Sequence, residues 1–279
     1  MKDYIIKAEG LGFSYDDSKT YSLEGFDLEI ERGKRVAFMG ANGAGKSTFF
    51  LCLNGINRPE KGTIYINGKP IDYSRKGLLD LRKTVGIVFQ DPDNQLFSAS
   101  VFQEISFGAL NIGMSEEEAE KAVNDVMETL EITPFREKPV HSLSGGQKKQ
   151  VSIADVVVMN PEIIIFDEPA ASLDPKHTEI VNRIIDMLSK QGITVLISTH
   201  DVDYALEWAD ETVVVHDGKV LAKGLPEEVF ADESILKMAN LKKPAAMELF
   251  ESLTAKGILK EGYPVPKSLK ELEKYIENI

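Results

Sequence analysis

The stretch Gly40-Ala41-Asn42-Gly43-Ala44-Gly45-Lys46-Ser47-Thr48 constrains this chain more than any other. A strand-like apolar run, Val36-Ala37-Phe38-Met39, leads into it, and a helix-like run, Thr48-Phe49-Phe50-Leu51, leads out. The pattern G-x-x-x-x-G-K-[ST] between strand and helix is a phosphate loop. Its glycines let the backbone take positive φ and turn successive N–H groups inward. The following helix N-terminus adds partial positive charge, so amides rather than bulky side chains hold a polyphosphate. Lys46 can reach the β- and γ-phosphates, and the Ser47 hydroxyl can ligate Mg²⁺. The bland alternative is a glycine-rich βα turn without a ligand, and the complete match in its correct setting argues against it. The chain is expected to bind a nucleotide; what the nucleotide drives is open at this point.

Length and charge narrow the classes. At 279 residues the chain accommodates one large α/β domain and a small appendage. Lys and Arg number 32 against 45 Asp and Glu, a net charge of −13, which lacks the electrostatic footprint of a nucleic-acid binder. The single cysteine, Cys52, excludes an intrachain disulfide and suits a buried thiol in an apolar turn. Met1-Lys2-Asp3-Tyr4 opens no signal-peptide-like run. The longest apolar stretch, 156–166, is cut by Asn160-Pro161-Glu162 and is too short for a bilayer. The expectation is a cytoplasmic chain that reaches any membrane through a partner.

Hydrophobic periodicity organises the rest. Tyr4-Ile5-Ile6-Lys7-Ala8 and Leu23-Glu24-Gly25-Phe26-Asp27-Leu28-Glu29-Ile30 alternate as half-buried strands. Asn67-Gly68 between apolar runs predicts a tight hairpin, so an antiparallel layer brackets the phosphate loop. Val85-Gly86-Ile87-Val88-Phe89 reads as a buried strand ending at Gln90, and Ser115-Glu116-Glu117-Glu118 as a capping box before a helix. A mainly helical insert is expected over about 76–160. Ile163-Ile164-Ile165-Phe166 and Thr194-Val195-Leu196-Ile197-Ser198, with a helix between them from about Thr178, have the spacing of a βαβ unit. Thr212-Val213-Val214-Val215, turned at Asp217-Gly218, closes a domain over 1–224. Residues 225–279 read as a small helical appendage, with one helix around Leu249, Phe250 and Leu253 and another opened by Ser268-Leu269-Lys270-Glu271.

A second motif, Leu143-Ser144-Gly145-Gly146-Gln147, opens a helix with a serine N-cap and two glycines that bare backbone amides, a second anion site. In this order, with the carboxylate-ended strand at Asp167-Glu168 behind it, LSGGQ resembles the signature of the ABC ATPase family. The resemblance implies an α/β P-loop NTPase fold with an antiparallel β layer and a helical subdomain, working on ATP and Mg²⁺. It implies ATP contacts from Tyr15, Gly40, Asn42, Gly43, Ala44, Gly45, Lys46, Ser47 and Thr48, with Tyr15 stacking on adenine. Asp167, Ser47 and Gln90 would attend the metal, Glu168 would polarise the attacking water, and His200 would be the switch histidine at the γ-phosphate. Ser144, Gly145, Gly146 and Gln147 would serve the ATP of an opposite subunit, and Asp174 of Ser172-Leu173-Asp174 would lie in the crossing D-loop. Two chains would close head to tail around two ATP.

Gln90-Asp91-Pro92-Asp93-Asn94-Gln95-Leu96-Phe97, Glu104-Ile105-Ser106-Phe107-Gly108 and the ending Pro264-Val265-Pro266-Lys267-Ser268-Leu269-Lys270-Glu271-Leu272 resemble the energy-coupling-factor type, which includes cobalt and nickel importers. That resemblance implies an ATPase peripheral to the cytoplasmic face of the cell membrane. Its partners would be a second ABC ATPase subunit, identical or paralogous, a transmembrane coupling subunit and a substrate-binding membrane subunit. Residues 95–102 are candidates for gripping coupling helices, and the C-terminal helices for a second dimer contact. Three positions depart from the family's habit: Gln150 where an arginine is usual, Ala170 for threonine, and Asp155 for a small or basic residue. The competing reading is a non-transport ABC module with soluble partners.

Overall fold

The computed structural model describes residues 3–15, 21–259 and 262–277. The chain opens with β1 (Tyr4–Phe13), β2 (Leu23–Glu31) and β3 (Arg35–Met39), then α1 (Lys46–Leu53). Next come β4 (Lys61–Ile66), β5 (Lys69–Pro70), α2 (Arg75–Thr84) and β6 (Val85–Val88). Three helices follow, α3 (Val101–Asn111), α4 (Glu116–Thr129) and α5 (Gly145–Val157). The order then alternates through β7 (Ile163–Asp167), α6 (Pro175–Lys190), β8 (Thr194–Ser198), α7 (Val202–Trp208), β9 (Glu211–His216) and β10 (Lys219–Gly224). It ends with α8 (Pro226–Ala231), α9 (Glu233–Met238), α10 (Ala245–Ala255) and α11 (Leu269–Glu277).

Two sheets share the work. The antiparallel one has the order β2-β1-β4-β5, and its β4–β5 hairpin turns at Asn67 and Gly68, both at positive φ, as the Asn-Gly pair predicts. The other has the order β10-β9-β3-β8-β7-β6, parallel except for β10. Ile163–Phe166 of β7 is buried throughout, the continuous apolar run expected of a parallel strand covered on both faces.

Packing between the sheets seats the phosphate loop. Phe26 from β2, Phe38 from β3, and Phe49 and Phe50 from α1 form a chain of aromatic contacts with centroids 4.7–6.2 Å apart. All four rings are fully buried. Each contributes on the order of 1.5–3 kcal/mol by burial. The helix after the loop is therefore wedged between the sheets and cannot shift alone. On the other face of the parallel sheet, α3–α7 enclose a second core.

Two boundaries differ from the sequence reading. Within 76–160, Val85–Val88 is a strand of the central sheet, paired with β7, so the helical layer is α3–α5. Past residue 224, Val229, Phe230, Leu236 and Met247 join that second core, so α8–α10 are packed onto the body. No helix among the described residues is long and apolar enough to cross a membrane.

Candidate active site

The loop from β3 to α1 depends on glycine at two points. Gly40 has φ 138°, and a Cβ there would stand 2.2 Å from the Val215 carbonyl oxygen of β9. Gly45 has φ 111°, with a Cβ position 2.8 Å from the Ser22 carbonyl oxygen. Between them the loop is pinned by Gly218 N donating to Ala44 O (2.9 Å). Lys46 is nearly buried, and its Nζ donates to Gly40 O (2.7 Å) and Ala41 O (3.1 Å). Burial pulls its pKa below the ordinary lysine value, while Glu168 and Asp167 pull it back up.

Opposite the loop stand the carboxyl ends of the parallel strands, where open α/β sheets place their ligands. Asp167 ends β7, and Glu168 follows at φ 46°, a left-handed conformation uncommon for a non-glycine residue. Ser198, paired with Asp167 across β7 and β8, supports both: its hydroxyl donates to Asp167 Oδ1 (2.5 Å) and accepts from Glu168 N (2.8 Å). His200 Nε2 lies 2.9 Å from Glu168 Oε1. Burial raises the Glu168 pKa, opposed by His200 and Lys46 and assisted by Asp167.

A cleft of about 370 Å³ brings together Tyr15, Ser22, loop residues 42–48, Gln90, Asp167 and Glu168, whereas Gly40 and His200 do not line it. Tyr15 is 59% exposed, with its hydroxyl 3.3 Å from Thr48 Oγ1 and its ring edge-on to Phe13 at 4.9 Å, which leaves ring surface open to the cleft mouth. Ser47, Gln90 and Asp167 offer hydroxyl, amide and carboxylate oxygens, the hard donors Mg²⁺ takes together with nucleotide phosphates. The set fits Mg²⁺ without a protein cage, and no cluster of three or more His, Cys, Asp or Glu suited to a metal occurs among the described residues.

The signature lies elsewhere. Ser144 caps α5 in a complete capping box with Gln147, and neither these two nor Gly145 and Gly146 line the cleft. Asp174 caps α6, accepting from His177 N (2.9 Å) and lying 2.7 Å from His177 Nδ1. The His177 ring sits against Gly146 so closely that a Cβ on the glycine would fall 2.0 Å from His177 Cδ2. The signature and the segment bearing Asp174 are thus in contact within one chain.

A third region adjoins the end of α5. A cleft of about 650 Å³ is lined by Ile56, Leu79, Phe97 and Phe107 among others, with Phe97 68% exposed and edge-on to Phe107 at 5.1 Å. Of the expected 95–102 stretch, Gln95 and Phe97 line it, whereas Leu96 and Val101 are core residues. Asp155 forms part of its wall and holds Gln95 Nε2 at 3.0 Å. Burial pushes the Asp155 carboxyl up to about 7, with Gln95 opposing and Glu104 adding to the rise. Gln150 is buried and donates to Leu130 O (3.3 Å), tying α5 to the end of α4.

Sequence reasoning passed over Ser198, His177 and Lys149. Ser198 stood in the sequence only as the end of a strand, and the pairing with β7 is what aims its hydroxyl at Asp167. The other two act through space, at elements remote in the chain.

The ABC transporter family description matches residues 23–171. The energy-coupling factor transporter ATP-binding protein EcfA3 of Clostridium perfringens is 47% identical over 257 residues, 92% of this chain and 90% of that protein. The solved structure of cbiO1 from Clostridium perfringens, described as part of the ABC transporter complex cbiONQ, is 46% identical. It covers 90% of this chain and 100% of its own, with a TM-score of 0.75. A dimeric ATP-binding cassette bound to ADP and Pi is 27% identical, covering 79% of this chain and 98% of its own, with a TM-score of 0.72. The chain belongs to the ABC transporter ATPase family, in its energy-coupling-factor branch.

Proposed function

We propose that two ATPase subunits of this kind, copies or related paralogues, close head to tail, and that closure drives uptake through membrane partners. The carrying observation is the separation of Ser144–Gln147 from the cleft that holds Lys46, Gln90, Asp167 and Glu168. A single chain then supplies one half of each of two sites. Phosphates rest on loop residues 40–48, adenine stacks on Tyr15, and Mg²⁺, when bound by Ser47, Gln90 and Asp167, neutralises phosphate charge. Glu168 takes a proton from the attacking water. Its raised pKa moves it toward neutrality, where a base combines ionisation with proton affinity. His200 holds the carboxylate at 2.9 Å and stands ready for the γ-phosphate. Ser144–Gln147 and Asp174 face the ATP of the second subunit.

The apolar cleft around Phe97 and Phe107 supports docking of a helix from the transmembrane coupling subunit, and the chain would then work as a peripheral subunit at the cytoplasmic face of the membrane. A substrate-binding membrane subunit would select the cargo, cobalt, nickel or a vitamin. The test is Glu168→Gln: ATP should trap a stable dimer in size-exclusion chromatography with turnover down about 100-fold or more. Unchanged turnover would overturn the assignment. Purification from detergent-solubilised membranes separates transport from a module with soluble partners, since only the former brings a hydrophobic subunit along.

A further inference from the structure

Lys149 is 1% exposed, the most deeply buried cation described in the chain. Burying an ammonium is costly unless it is matched by acceptors. Here Nζ donates to Phe89 O and Gln90 O, each at 2.7 Å, two charge-assisted hydrogen bonds. Those carbonyls lie just past Val88, where the β6 ladder stops, so the lysine satisfies backbone acceptors the sheet leaves behind. Two further ties join the same turn to α5. Lys148 Nζ meets Asp93 Oδ1 at 2.6 Å, and Gln95 Nε2 donates to Ser152 O (2.8 Å) and Asp155 Oδ2 (3.0 Å). Positions 148, 152 and 155 follow one stripe of the helix, with 149 beside it. The stripe starts one residue past the signature glutamine, Gln147.

We propose that Lys149 is a positioning residue for Gln90. It fastens the backbone of the 89–90 turn to the signature helix, so that Gln90 moves with Ser144–Gln147 when that helix moves. Each chain's own cleft would then sense through Gln90 whether its signature has engaged the partner's nucleotide. The inference rests on the reading of Gln90 as a member of the nucleotide cleft. Beside the departure at Gln150, the buried cation thus stands at 149, aimed at the turn, while the neutral Gln150 donates to Leu130 O.

The experiment uses the full chain with Lys149→Met, which fills the same space without a donor, and Lys149→Arg, which keeps one. Three quantities are read: hydrogen exchange of peptides covering 89–95 and 40–48, ATP affinity, and turnover. In Lys149→Met, exchange over 89–95 should rise about tenfold while 40–48 stays protected. ATP affinity should stay within about twofold and kcat fall about tenfold or more, the mark of a contact that serves hydrolysis and not binding. Lys149→Arg should recover protection and most of kcat. Wild-type exchange and kcat in Lys149→Met would mean the lysine only fills space and would overturn the proposal. So would loss of protection in 40–48 together with ATP affinity, the pattern of general destabilisation. Faster exchange over 89–95 with unchanged kcat would also overturn it, and Glu168→Gln reports separately whether the cleft hydrolyses ATP. Should Lys149→Met fail to fold, Lys149→Leu, likewise without a donor, is read by the same criteria.

Discussion

Two buried lysines, Lys46 and Lys149, each donate to a pair of backbone carbonyls, yet they do opposite things. Lys46 binds carbonyls of its own loop, five and six residues back, and lines an open cleft. Lys149 binds carbonyls about sixty residues away and lines no cleft described here. A lysine with local partners at a cleft wall can exchange a carbonyl for a phosphate oxygen at little structural cost. A lysine whose partners come from a distant strand end has no such freedom, and its bonds serve to couple elements. Contact order, rather than burial, separates the ligand-binding cation from the coupling one.

The largest effect should come from breaking the first of these. Lys46→Met should weaken ATP binding about 100-fold, since a charge-assisted contact is worth about 1.5–3 kcal/mol. Nucleotide titration checks it, and wild-type affinity would erase the contrast with Lys149→Met, where affinity is expected to hold.

A half-buried carboxyl without a cation beside it sharpens the comparison from the other side. Asp155 lies on the same helix as Lys149, and its pKa stands at about 7 in the fold against 3.8 in the free side chain. The folded chain binds the proton more tightly than the unfolded one. Stability linked to this group is therefore complete below pH 3.8 and lost as pH rises through about 7. At about 1.4 kcal/mol per tenfold in proton affinity, the upper bound is on the order of 4 kcal/mol. Asp155→Asn should keep the Gln95 contact, stabilise the chain at pH 8 by about 1–3 kcal/mol, and flatten the fall in Tm between pH 4 and 7. A wild-type pH profile in that variant would assign the charge to solvent.

The smallest effect tests the other side of the signature. Gly146→Ala should cost about 1–3 kcal/mol against the His177 ring. In a His177→Ala background the cost should fall to about 0.5 kcal/mol. Denaturant unfolding of the four proteins measures the coupling. Equal costs in both backgrounds would show that the ring yields and that His177 does not hold the glycine.

Much of the site was legible because its motifs write backbone demands into adjacent residues. Gly40 and Gly45 must be glycine, and the strand ending in Asp167-Glu168 announces a ligand face by its unbroken apolar run. The antiparallel layer followed from alternation and from Asn67-Gly68. What stayed hidden is long-range. Nothing near Lys149 in the chain marks it as reaching Gln90, and nothing near His177 marks it as resting on Gly146. The packing of α8 and α9 was missed for a related reason, because helices of six residues are too short for periodicity to show which face Val229, Phe230 and Leu236 bury.

Cys52, behind the phosphate loop on α1, is fully enclosed, and burial pushes its thiol up to about 12. At neutral pH it holds almost no thiolate, so maleimides and oxidants have nothing to attack. It is also the only cysteine in the sequence. The natural protein is thus already silent to thiol probes. A cysteine introduced at exposed Ser144 would carry the whole labelling signal, and the approach of one subunit to another could be followed without first stripping the chain of its own sulfur.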